Sequence, residues 1–287
     1  MSEDSTTTVV VAAAANLGIA VAKGVAGALS GSAAMISESA HSVADTTNEV
    51  LLLIAVKRSD RPADERHPFG YGRERYFWTL LAAVGICVGG GVFSVMQGIS
   101  ELRGDGGEGG GHFTLSYLVL GVSFLLESVS WLQARRQLSR DATTMDRRLR
   151  EQLWAGSDPA VTTVFLEDTA ALLGLLIAGA GVGLHEATGD HVWDGLASLG
   201  IGILLGVVGI LLGRRNRHLL IGESADPRLH DALVEQLSTY PEIDSVDEVL
   251  TSVIGRGEVL VVARIDLDDT LSAAQVEALA RRIEREV

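Results

Sequence analysis

The chemistry in this sequence concentrates in a row of polar side chains: Glu38, His41, Asp45, Asn48 and Glu49. Steps of three and four keep them on one face of a helix whose remaining positions are Ala, Val, Leu, Ile, Ser and Thr. His41 and Asp45, at i and i+4, set an imidazole nitrogen beside a carboxylate oxygen. Such a pair suits Zn²⁺, which takes N and O ligands at about 2.0–2.2 Å. It suits Mg²⁺ or Ca²⁺ less, since these prefer all-oxygen shells. An internal His–Asp hydrogen bond that steadies the helix is the alternative for this pair taken alone.

A second group lies far along the chain. Glu167 and Asp168 are adjacent carboxylates in an otherwise apolar stretch. Neighbours on a helix stand about 100° apart, so one of the two faces a site on the first helix squarely. Asp168 is the expected ligand, with Glu167 beside it or paired elsewhere. An ion pair with Lys23 or a loop arginine is the structural alternative. Glu127 is a candidate proton carrier or outer partner, or the mate of Lys23, and Asn16 adds a polar group on the first helix. Asp194, at the start of an apolar segment, fits an interface or helix-capping role.

Charged groups inside an apolar span cost roughly 2.5–3.5 kcal/mol each on insertion scales, so they mark function or specific pairing. The elements that must hold them are long apolar segments near Thr8–Leu29, Ala33–Val56, Tyr76–Ile99, Phe113–Ala134, Ala160–Leu184 and Val192–Gly213. Each is long enough to cross a bilayer, which takes roughly 20 helical residues. The fold expected is an α-helical membrane protein. Residues 1–213 form a six-helix transmembrane bundle, and residues 214–287 form a small α+β, ferredoxin-like cytoplasmic domain. With 287 residues, 47% of them apolar and 33 of them Gly, the chain has room for both.

Arginine and lysine fix the orientation. Loops Lys57–Arg75 and Arg135–Pro159 carry six basic residues each, and Arg214, Arg215 and Arg217 follow the last apolar segment. The loops on the other face hold only Arg103. Both termini are therefore expected in the cytoplasm, with the protein in the plasma membrane. The N-terminus lacks the basic region of a signal peptide, so the first segment reads as a retained span. The outer stretch Arg103–His112 is glycine-rich and reads as a spacer, with Asp105, Glu108 and His112 as a minor alternative metal-collecting set.

The net charge of −14 excludes phosphate-driven binding of nucleic acid. A single cysteine, Cys87, excludes an intrachain disulfide and a cysteine-based zinc knuckle. Beyond Arg214 the pattern is α-β-β-α. Asp226-Pro227 opens a helix over Arg228–Thr239, Ile243–Ile254 and Glu258–Leu267 alternate as strands around Gly255-Arg256-Gly257, and Ser272 caps a helix to Glu286. No closing strand follows, so the domain is either small or shortened.

These residues together resemble the cation diffusion facilitators. The resemblance rests on the six spans, His41-Ser-Val-Ala-Asp45, Asp168 and the αββα tail. Supporting stretches are Ser30-Gly-Ser-Ala-Ala-Met35 and His67-Pro-Phe-Gly-Tyr-Gly-Arg73. It covers nearly the whole chain. Leu166-Glu167-Asp168-Thr169-Ala170-Ala171 looks like the branch with a Glu-Asp pair on the fifth helix, which includes the mitochondrial-type zinc transporters of animals. The resemblance implies a homodimer in the lipid bilayer that exports Zn²⁺, or Mn²⁺, Fe²⁺, Co²⁺ or Cd²⁺, by proton antiport, with no bound cofactor and no enzymatic activity. It also implies a tetrahedral site with two residues from helix two, matching His41 and Asp45, and two from helix five. One of the latter matches Asp168. The other falls on Val164, which cannot bind metal, and Glu167, Glu38, Glu127 or water would fill that place. In the tail His230 is the candidate for a regulatory site, and His67 is open between metal binding and loop packing. Two rival readings share the polar row: a cation channel or uniporter without proton coupling, and a membrane metallohydrolase. The second lacks any nucleophile elbow or HExxH helix.

Overall fold

The structure is a computed structural model that describes residues 3–104, 113–155 and 159–286. The loop residues Asp105, Glu108 and His112 lie outside the described residues. Its long helices are α1 (Glu3–Ser30), α2 (Ala33–Ser59), α3 (Glu74–Leu102), α4 (Phe113–Thr144), α6 (Pro159–Thr188) and α7 (Val192–Ile221). A short helix, α5 (Leu149–Ala155), interrupts the stretch expected as loop between α4 and α6.

Among the described residues, α3, α4, α6 and α7 are long and apolar enough to cross a membrane. The described apolar part of α1, Asn16–Ser30, is shorter than that. Helix α2 has the length, but its row of ionisable residues lowers its hydropathy. The bundle turns these groups inward. Glu38, His41 and Asn48 are buried, while Val84, Val88, Leu118, Val122, Leu125 and Ile203 point outward and are exposed. An apolar exterior around a polar interior is the arrangement a bilayer selects.

Two devices fix where α2 sits. Gly31 takes a left-handed conformation (φ 72°) that lets the chain reverse between α1 and α2. Ser32 then caps α2, its Oγ accepting from Met35 N at 3.1 Å and donating to Asp194 Oδ1 at 2.7 Å. The other oxygen of Asp194 accepts from Ala34 N at 3.2 Å. The capping role expected for Asp194 is thus exercised across the bundle, on α2, where a carboxylate meets the positive helix end.

Helices α3 and α7 pack backbone to backbone. A Cβ at Gly202 would lie 2.7 Å from Val95 N, and one at Gly209 would lie 3.0 Å from Ala83 O. These glycines therefore set the interhelical spacing, as small residues do in membrane bundles. Over Ile86–Val92, α3 is π-helical. Gly85 and Gly89, at the edge of and within this wide turn, face Asn48 and Ala44 of α2. π-turns inside helices recur at functional sites.

Helix α7 runs past Gly213 to Ile221 and ends at Gly222 in a left-handed conformation. The tail follows as α8 (Pro227–Leu237), β1 (Ile243–Gly255), β2 (Glu258–Leu267) and α9 (Ala273–Glu286). Asp226 caps α8, with Pro227 in its first turn, as the sequence indicates. The strands form a two-stranded antiparallel sheet, with Thr251 opposite Val261. Leu233, Leu237, Val249, Val261 and Ile283 join both helices to one face of it.

The tail is tied to the bundle at several points. Arg147, between α4 and α5, pairs with Asp226, and Arg73, before α3, reaches Ser252 Oγ at 3.3 Å. The loop between α2 and α3 is organised by Asp64, which accepts from Tyr71 Oη at 2.7 Å and His67 N at 2.7 Å. These bonds, Tyr71's first, hold the Asp64 carboxyl down at about 2, so the loop stays closed by a charged acceptor at physiological pH. His67 stacks on Tyr71 with ring centroids 4.2 Å apart, which is loop packing.

The glycine contacts give a direct test. Gly202→Ala should cost about 1–3 kcal/mol through overpacking against α3 and lower the thermal midpoint of the detergent-solubilised protein. Gly206→Ala, where an added Cβ meets nothing within 4 Å, should leave that midpoint nearly unchanged.

Candidate metal centre

Four helices contribute to one small acidic cavity. Its lining includes Asn16 of α1, Asp45 and Glu49 of α2, Glu127 and Ser130 of α4, and Val164, Glu167 and Asp168 of α6. The cavity measures about 100 Å³, room for an ion and a few waters. The sequence-predicted residues Asp45, Asp168, Glu167 and Glu127 all face it. Val164, the unmatched position, lines the same cavity one helical turn before Asp168.

Three of the carboxylates, Glu49, Glu167 and Asp168, are each held by a neutral donor from another helix. Asn16 Nδ2 donates to Glu49 Oε1 at 2.6 Å, Asn48 Nδ2 to Glu167 Oε1 at 3.0 Å, and Ser130 Oγ to Asp168 Oδ2 at 2.7 Å. These bonds orient one oxygen of each carboxylate and leave the other for a further partner. A stack of Trp131 on Phe165, at 5.8 Å, fixes α4 against α6 beside Ser130, and Trp131 Nε1 donates to Thr169 Oγ1 at 2.9 Å.

His41 stands next to Asp45, with Nδ1 3.4 Å from Oδ1. Neither atom has a hydrogen-bond partner, nor does His41 Nε2, although all three are buried. Buried polar atoms are normally satisfied, so this cluster requires an explanation. The spacing supplies one. Two ligands of a tetrahedral ion at about 2.0–2.1 Å stand about 3.4 Å apart. The same separation is long for a hydrogen bond. Among the described residues no three His, Cys, Asp or Glu side chains stand close enough together to hold a metal ion as they are placed.

Glu38, three residues before His41, does not line the cavity. Lys23 Nζ lies 3.0 Å from its Oε2 and donates to Ser42 Oγ at 2.8 Å, and both charged side chains are fully buried. The structure thus gives Lys23 to Glu38 and not to Glu127 or Glu167, because α1 packs against α2 and brings these positions level. His230 lies on α8 in the tail, half-exposed, with Nδ1 3.4 Å from Asp231 Oδ1, remote from the cavity. Sequence reasoning placed Glu49 in the polar row without a role, and it passed over Ser130. The legible signal for Ser130 was its position three residues after Glu127, on the same helical face.

Comparison with known proteins agrees in extent with this architecture. The family model described as the cation efflux transmembrane domain matches residues 9–221, ending where α7 ends. Metal tolerance protein C4 of Arabidopsis thaliana is 36% identical over 240 residues, which is 83% of this chain and 52% of that protein. A proton-coupled zinc antiporter of Mus musculus, named as mitochondrial, is 34% identical over 238 residues, 83% of this chain and 42% of that one. Magnetosome protein MamB of Paramagnetospirillum magneticum is 25% identical over 275 residues, 92% of this chain and 84% of that protein. The chain spans about half the length of the first two.

The buried Lys23–Glu38 pair should be visible in stability. Lys23→Ala strands a carboxylate in the bundle, and breaking such a pair costs about 3–5 kcal/mol. Thermal unfolding in detergent should show a large loss for Lys23→Ala and a smaller one for the Lys23→Ala/Glu38→Ala double variant.

Proposed function

The chain belongs to the cation efflux family, and we propose that it moves divalent metal ions, Zn²⁺ first among them, out of the cytoplasm in exchange for protons. The observation that carries this reading is the acidic cavity inside the bundle, with the unsatisfied His41–Asp45 pair at its side. On this reading His41, Asp45 and Asp168 bind the ion. Glu167 supplies the fourth donor, since it lines the cavity beside the place that Val164 leaves empty.

The mechanism follows from ligand chemistry. Metal binding needs a neutral imidazole and ionised carboxylates, so loading from the cytoplasm releases protons from the site. A rearrangement of α2 and α6 then opens the cavity to the far side. Protons arriving there compete for the same donor atoms, displace the ion and are carried back. Glu127 and Glu49 extend the acidic lining and hand protons between site and solvent. The mixed N/O donor set favours Zn²⁺ and its first-row neighbours Mn²⁺, Fe²⁺ and Co²⁺, with Cd²⁺ also accommodated.

The same reading gives six spans, α1, α2, α3, α4, α6 and α7, with both termini on the cytoplasmic side of the plasma membrane. The basic loops and the arginines at the end of α7 support that orientation. Two chains pair as a homodimer. The exposed Leu250 and Val262, opposite each other on the uncovered face of the tail sheet, support a role for the tail in that pairing. The activity is transport and not catalysis.

Proteoliposomes with an imposed pH gradient test the function. Zn²⁺ should move against its own gradient when protons flow the other way, and Asp45→Ala or Asp168→Ala should abolish the movement. Wild-type flux indifferent to pH would instead indicate a channel or uniporter. By calorimetry, each alanine variant should lose at least the roughly 10–100-fold in Zn²⁺ affinity that removal of even an outer-shell partner costs. Val164→His, by adding a nitrogen ligand at the cavity wall, should raise Zn²⁺ affinity above wild type.

A further inference from the structure

A second group of metal-ligating side chains stands at the end of the bundle away from the tail. Glu101 lies in the last turn of α3, His185 in the last turn of α6, and His191 in the short turn before α7. That turn is built to fold back. Gly189, in a left-handed conformation (φ 71°), bonds to His185 O at 2.8 Å, and Asp190 Oδ1 accepts from Val192 N at 3.0 Å. His191 is thereby returned over His185, with ring centroids 4.2 Å apart.

His191 Nδ1 is 3.3 Å from Glu101 Oε1, again close to the edge of a tetrahedron around an ion at about 2.0–2.1 Å. His185 is 6% exposed, and its Nδ1 is buried with no hydrogen-bond partner. Phe113 walls it on one side, with ring centroids 5.4 Å apart. The neighbouring carboxylates are engaged elsewhere, Asp194 with Ser32 and Ala34 and Asp190 with Val192 N. The Glu101 side chain is 4% exposed, whereas that of His191 is 49% exposed. Two buried donors thus lie under one that reaches solvent.

We propose that Glu101, His185 and His191 form a second divalent-metal site of the zinc class at this end of the bundle. Two imidazoles and a carboxylate are a zinc donor set with a fourth position open to water. The three side chains do not converge on one point as they stand, so binding an ion requires the two rings to rotate about their side-chain torsions. Because His191 is half-exposed, the ion exchanges directly with solvent on that face. The site is separate from the central cavity and stands whether or not that cavity binds the transported ion.

Equilibrium dialysis of tag-free, detergent-solubilised full-length protein against Zn²⁺ tests it. His191→Ala should lower the zinc bound at saturation by one ion per chain, and Glu101→Gln should weaken binding of that same ion. In the Asp45→Ala/Asp168→Ala background, Co²⁺ should still give the intense visible absorption of a tetrahedral N/O site, and adding His191→Ala should remove it. An unchanged zinc count in His191→Ala, or Co²⁺ absorption insensitive to His191, would overturn the proposal.

Discussion

The organising constraint of this structure is the cost of carrying carboxylates into an apolar slab. Burying a charge without a partner is prohibitive, and burying one with good partners is tolerable. Five acidic groups in the bundle interior are therefore tied to a donor on another element: Glu38 to Lys23, Glu49 to Asn16, Glu167 to Asn48, Asp168 to Ser130 and Asp194 to Ser32. These ties define which helices meet and in what register. The His41–Asp45 pair differs from these: its two facing atoms are both buried and neither has a hydrogen bond.

Neutral partners dominate near the cavity, and the full ionic pair is displaced from it. Lys23 and Glu38 cancel one another about one turn along α2 from His41. A lysine at the cavity itself would compete with a divalent ion for the same carboxylates. Amide and hydroxyl donors orient those carboxylates without neutralising them, so the negative potential is kept where a cation would sit. The other half of the bundle supplies rigidity. Helices α3 and α7 are locked together by glycine contacts, while α2 touches α3 along its wide π-helical turn. That wide turn lies beside Ala44 and Asn48 of α2, the helix that the proposed transport cycle rearranges.

Much of this was legible in the sequence, for a definite reason. Ionisable residues are rare in apolar helices, so Glu38, His41, Asp45, Glu127, Glu167 and Asp168 stood out by type alone, and steps of three and four assigned the first three to one face. The tail was equally plain, because Asp226-Pro227, Gly255-Arg256-Gly257 and Ser272 each use local turn or cap chemistry. What sequence did not reveal depends on how helices rotate against each other. The choice of Glu38 over Glu127 as partner of Lys23 is set by the register of α1 on α2. The π-helical turn lies where α3 packs on α7 through glycines, and α7 runs on through Arg214, Arg215 and Arg217 to pack Leu219 on Val253 of the tail; no local pattern encodes either.

The central claim is that one divalent ion sits against His41 and Asp45 and is shared with α6. A zinc-loaded structure with anomalous scattering recorded at the zinc edge measures this directly. The account expects a peak in the cavity within bonding distance of His41, Asp45 and Asp168, absent from the Asp45→Ala variant. An empty cavity at saturating zinc, or a peak there that survives removal of Asp45, would contradict it.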